Sequence, residues 1–145
     1  MRNGRFKSND GCIGESELRH FISGEMIRVG FDPSLKGFRY FCELLYLSIL
    51  NRSTDNLIDM YKQAADKFSI NWKALERNLR TLVYSSFYNG TKFIHVYEYF
   101  GLPPEDRAPT VRRILALMSE YIVYNLFEND ISFIKSDKLN ADDDD

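Results

Sequence analysis

Apolar residues recur at helical spacing along almost the whole of this chain, and no segment alternates convincingly, so the chain is confined to the all-α class. Leu18, Phe21, Ile22, Met26 and Val29 share one face of a first helix predicted over about residues 15–29, with Gly24 as a weak point inside it. In Gly30-Phe31-Asp32-Pro33, Asp32 suits an N-cap and Pro33 the first helical position, where a missing N–H costs nothing. The helix expected from Ser34 to about Leu50 is apolar on most sides and therefore central.

Asn51–Asp55 is a polar break. Leu57, Ile58, Tyr61, Ala64, Ala65 and Phe68 form a third stripe, and Ser69-Ile70-Asn71 is a short turn with Asn71 as an N-cap. A fourth helix runs to about Asn89 and stops at Gly90. Thr91 caps a short fifth helix ending at Phe100-Gly101; Phe93–Phe100 is the nearest thing to an alternating segment, and a helix suits it better. After the proline-punctuated loop Leu102–Pro109, Thr110 caps a last helix to about Phe127, with Val111, Ile114, Leu115, Met118, Ile122 and Leu126 on its apolar face. The expected architecture is an all-α bundle of about six helices over residues 15–127, between an N-terminal tail (1–14) and an acidic C-terminal tail (128–145).

Composition removes several function classes. Apolar residues make up 44% of the 145, enough for a sizeable core. No apolar run approaches the roughly 20 residues that span a bilayer, and the polar Met1–Asp10 offers no signal-peptide core. Cys12 and Cys42 do not make a disulfide framework and fit a reducing cytoplasm; Cys42, in an apolar helix, reads as a structural thiol rather than half of a redox pair. His20 and His95 are the only imidazoles and neither neighbours a cysteine, so no metal site is expected. There is no glycine-rich phosphate loop and no nucleophile with an orienting partner, so neither an enzyme nor a cofactor is expected. The net charge of −2 conceals a division: residues 1–27 are neutral, 28–126 carry +3 and 127–145 carry −5. Asp142–Asp145 reads as a solvated end, or as a competitor for a basic helix elsewhere in the chain.

The informative segment is Gln63–Arg80. Two helices meet across a turn of a few residues, and Ala64 and Ala65 on the first allow close approach. The second divides into faces: Trp72, Leu75, Leu79, Leu82 and Val83 on one, and Lys73, Glu76, Arg77, Arg80 and Tyr84 on the other. A helix-turn-helix recognition helix must be built this way, with one face locked into the core and one presented to the major groove. Arginine pairs with guanine O6 and N7, and a carboxylate accepts from cytosine N4. Glu76, Arg77 and Arg80 are thus candidate base readers, and Lys73, Tyr84 and Lys36 candidate backbone contacts. The alternative is a solvated face, in which Lys73–Arg77 and Glu76–Arg80 are helical neighbours and the latter an i,i+4 pair worth about 0.2–0.5 kcal/mol. The turn also lacks glycine.

Three stretches together resemble the C-terminal DNA-binding domain of the stage-zero sporulation protein A family of response regulators. Gly30–Tyr40 (GFDPSLKGFRY) is similar to the family's glycine–proline–lysine–glycine–aromatic leading segment. Tyr61–Arg80 (YKQAADKFSINWKALERNLR) resembles its helix-turn-helix without a gap, and Pro109-Thr110 with the amphipathic helix that follows resembles its closing element. The likeness covers about residues 15–126. It implies a six-helix bundle that binds short asymmetric boxes on double-stranded DNA, often in tandem, and leaves open a homodimer on such sites. It assigns base contacts to Glu76, Arg77 and Arg80. Pro33 stands one position late, and Ala74 and Thr81 replace a basic residue and a histidine often found there, changes that bear on phosphate contacts more than on base reading. Residues 1–27 are too few for the family's receiver domain, so regulation by phosphorylation is not expected in this chain.

The expected function is sequence-specific transcriptional regulation in the cytoplasm, with no membrane and no small-molecule substrate. The second expectation is a protein-interaction module that keeps the fold and titrates a related regulator; the modest charge of 28–126 favours it.

Overall fold

The computed structural model describes residues 6–8 and 11–138, with side chains described over 13–127. It is a helical bundle preceded by a small hairpin. The elements are β1 (Phe6–Ser8), β2 (Gly11–Ile13), α1 (Glu15–Val29), α2 (Gly37–Asn51), α3 (Leu57–Phe68), α4 (Trp72–Asn89), α5 (Ile94–Tyr99) and α6 (Val111–Lys138). The all-α expectation and its six helices hold.

α2 is the central helix, packing against α1, α3, α4 and α6. Phe41, Leu44 and Leu45 are fully buried in it. Leu18, Ile22 and Met26 of α1, Leu75, Leu79 and Leu82 of α4, and Ile114, Leu115 and Met118 of α6 complete the same core. The Glu43 carboxylate ties three helices together: it accepts from Arg19 of α1 at 2.6 Å and from Lys67 of α3 at 2.9 Å. Burial alone would raise its pKa, but the two hydrogen bonds outweigh burial and hold it below the ordinary carboxylate range.

Several boundaries depart from the sequence expectations. α2 begins at Gly37 rather than Ser34. The Asp32 carboxylate accepts from the Ser34 amide (2.9 Å) and hydroxyl (2.8 Å), so it closes a local turn instead of capping a helix. The helix starts where the chain meets α4: a Cβ at Gly37 would lie 2.4 Å from the Asn78 carbonyl oxygen, so only glycine permits the approach. α5 is shorter than expected, because Lys92 and Phe93 take left-handed conformations (φ 58° and 54°) after Thr91. Phe93 is held there by its buried ring, stacked on Phe31 at 4.7 Å and edge-on to Phe87 at 5.7 Å.

In α3, Ile58 is 46% exposed and Met60 takes the core position in its place. The N-terminal segment read as a tail contains the antiparallel pair β1–β2, with Phe6 opposite Ile13. The backbone of α6 continues past Phe127 to Lys138. The Cys12 side chain, the acidic side chains beyond Phe127 and Asp142–Asp145, on which the sequence raises expectations, lie outside what is described. Among the described residues, no helix is long and apolar enough to cross a membrane.

Candidate nucleic-acid interface

The connection between α3 and α4 is three residues, Ser69–Asn71. Ser69 closes α3 in the left-handed conformation (φ 57°) that glycine more often supplies, and the Ile70 amide returns to the Ala65 carbonyl at 3.0 Å. Asn71 then opens α4, its side-chain oxygen accepting from the Lys73 amide at 2.8 Å. The N-cap expected from the sequence is present.

α4 separates its faces as the sequence indicates. Leu75, Leu79 and Leu82 are fully buried and Val83 nearly so. Lys73, Arg77, Arg80 and Tyr84 are exposed on the other side. Glu76 and Arg80 form an i,i+4 ion pair at 3.3 Å, with the Arg80 side chain 60% exposed. Trp72, expected on the core face, is only partly buried: its ring stacks on Tyr61 at 6.4 Å, and the Lys62 and Lys73 ammoniums lie 5.8 and 5.6 Å from its centroid. The start of α4 therefore carries a tryptophan with two lysine ammoniums and a tyrosine ring around it, rather than a plain apolar anchor.

Lys36 is exposed in the turn before α2. That turn reaches α4 through Gly37 and Asn78, on the flank of α4 away from Glu76. Tyr84 is 64% exposed and packs against Tyr88 at 4.6 Å. The Tyr88 hydroxyl accepts from the Ala108 amide at 3.3 Å, which fastens the 102–109 loop to α4. All six residues singled out thus lie on or beside the same helix: Arg77 and Lys73 face outwards, Glu76, Arg80 and Tyr84 line its edge towards α3 and α6, and Lys36 stands off the opposite flank.

That edge holds what the sequence did not reveal. A surface groove of 380 Å³ runs between α3, α4 and the start of α6. Glu76, Arg80 and Tyr84 form one wall, Thr110 and Arg112 the other, and Tyr61 contributes to its lining. Burial, then the charge of Glu76, pushes the Tyr61 hydroxyl up to about 12, against the smaller opposing effects of Arg112 and Arg80. Tyr61 and Arg112 are 51 residues apart, and no spacing rule joins them.

Away from this surface, His20 and His95 are exposed. Among the described residues no group of three or more His, Cys, Asp or Glu is placed to hold a metal ion. Tyr99 closes α5 on α6, its ring edge-on to Tyr121 at 5.0 Å and near Tyr124 at 5.5 Å.

No protein-family model matches the chain, and no curated protein matches it.

Proposed function

We propose that this chain is a sequence-specific DNA-binding regulator that uses α3 and α4 as a helix-turn-helix. The observation that carries the reading is the division of α4: fully buried leucines hold one side rigidly, while the opposite side offers Lys73, Arg77 and Arg80 to solvent. A recognition helix needs a fixed backbone under mobile long side chains, because base edges are read to within hydrogen-bond tolerance. Arg77 is the best-placed base reader, with Glu76 and Arg80 beside it. Lys73, Tyr84 and Lys36 are assigned to phosphates, a role that positions without specifying. The likeness to the effector domain of the sporulation regulators points the same way and proposes short, tandem operator boxes.

The competing role, an interaction module that titrates a related regulator, draws support from the Glu76–Arg80 pair and from the charge of +3 over residues 28–126. Fluorescence anisotropy with labelled duplexes over a salt series separates the two. A base reader binds with a steep salt dependence, and Lys73→Ala weakens every sequence alike while Arg77→Ala relaxes discrimination. A titrator ignores DNA at all salt concentrations.

A further inference from the structure

The 380 Å³ groove beside α4 has the chemistry of an anion site. Its first component is the N-terminal end of α6. Thr110 Oγ1 takes up the Arg113 amide at 3.1 Å, and the Thr110 carbonyl takes up that of Ile114 at 3.1 Å. The Val111 and Arg112 N–H groups have no acceptor among the described residues, as expected for the first turn of a helix, where donors and dipole favour negative charge.

The second component is independent of the helix end. Tyr61 is only 3% exposed, lines the groove, and its hydroxyl has no hydrogen-bond partner among the described residues. The fully enclosed oxygens without a partner among the described residues are Tyr97 Oη and Ser119 Oγ; the Tyr61 hydroxyl is not one of them, so it is reached from the surface. Tyr61 is otherwise buried and lines the groove, so its hydroxyl opens onto that space, where the charges of Glu76, Arg112 and Arg80 also act on it.

The third component is the guanidinium pair. Arg112 is exposed and has no ion-pair partner among the described residues, whereas its neighbour Arg113 is tied to Glu105 at 3.2 Å. Arg80 pairs with Glu76 at 3.3 Å, and an incoming anion competes with that carboxylate for it. We infer that the groove bounded by Tyr61, Arg80 and Arg112 at the start of α6 is a phosphate site. Two guanidiniums, a phenol and two free amides suit a tetrahedral oxyanion with several acceptors. This deepens the DNA-binding reading and rests on it for the occupant, a backbone phosphodiester flanking the bases faced by Arg77, and it gives Arg80 to that phosphate rather than to a base edge. A free phosphate compound has the same chemistry and is distinguished below.

The full chain is titrated with a labelled duplex over a salt series. It is titrated separately with inorganic phosphate while the Val111 and Arg112 amides are followed by NMR. Arg112→Ala should lower duplex affinity roughly tenfold for all sequences and reduce the salt slope by about one. Tyr61→Phe, which keeps the ring and its packing, should lower affinity roughly fivefold. Arg113→Ala should bind as the parent does. Unchanged duplex affinity in either of the first two variants overturns the assignment. If the parent chain ignores duplexes altogether, base reading fails on its own and the phosphate titration decides. Saturable shifts at Val111 and Arg112 that vanish in Arg112→Ala then support a site for a free phosphate compound; no shifts overturn the phosphate site as well.

Discussion

The Arg80 guanidinium lies 3.3 Å from the Glu76 carboxylate one turn earlier on α4, beside Arg77, which points into solvent from the same helix. An exposed i,i+4 pair contributes only about 0.2–0.5 kcal/mol, so the pair is easily opened. Arg80 is then available to a base or a phosphate, and Glu76 to a cytosine amino group, at small cost. Arg77 begins without an ion-pair partner among the described residues.

The two arginines should therefore respond differently to loss of the glutamate. Arg77→Ala is expected to cost about 1–3 kcal/mol of discrimination between matched and mismatched duplexes. Glu76→Gln frees Arg80, strengthens binding to all duplexes, and lowers discrimination wherever the carboxylate reads a cytosine. Competition binding with single-position operator variants measures both, and equal loss on every sequence for Arg77→Ala would contradict base reading.

The seat of α4 on α2 depends on Gly37. A methyl group there would stand 2.4 Å from the Asn78 carbonyl and 3.0 Å from the Leu82 Cβ, and a backbone carbonyl cannot rotate away. Gly37→Ala should destabilise the fold by about 1–3 kcal/mol. It should also weaken DNA binding beyond what the loss of folded protein accounts for, since α4 must shift. Chemical denaturation followed by binding at matched folded fraction tests both parts.

Acid should act through Glu43. Its pKa is lowered in the fold by Arg19 and Lys67 despite burial. The stability it contributes is present above the unfolded carboxylate pKa and is lost as pH falls through the lower folded value. Urea midpoints should therefore fall on acidification below the ordinary carboxylate range. Glu43→Gln should flatten that fall and cost about 1–3 kcal/mol at neutral pH. An unchanged pH profile in the variant would remove Glu43 from the account of acid sensitivity.

Cys42 should be inert. Burial, first of all, pushes its thiol up to about 11, and the sulfur sits 3.7 Å from the Ser23 hydroxyl and 3.5 Å from the Met26 sulfur. Thiolate is the nucleophile, so at neutral pH native protein should react with an alkylating reagent far more slowly at Cys42 than denatured protein does. Peptide mapping after timed alkylation distinguishes it from Cys12.

Much of this was legible in the sequence, for local reasons. α1 begins and ends where its apolar face places it, and Asn71 and Thr110 cap the helices they precede. Capping and periodicity depend on residues a few positions apart, which a sequence displays directly. The failures share the opposite cause. α2 starts late because Gly37 meets Asn78, a partner 41 positions away. Ile58 loses its core place to Met60, although both fit a rough apolar stripe, because only packing decides which side of α3 faces α2. The hairpin Phe6–Ser8 and Gly11–Ile13 is too short to register as an alternating pattern. For the interface, the outward face of α4 was readable because a helix repeats. The groove was not, because Tyr61 and Arg112 come together only in the folded chain.

The most direct test of base reading is a binding selection with the purified chain on a pool of randomised duplexes at fixed, near-physiological salt. The expected result is enrichment of a short box containing G·C pairs, with the enrichment at those pairs lost in Arg77→Ala. Retention of DNA without any enriched sequence, or no retention at all, would contradict sequence-specific recognition by α4.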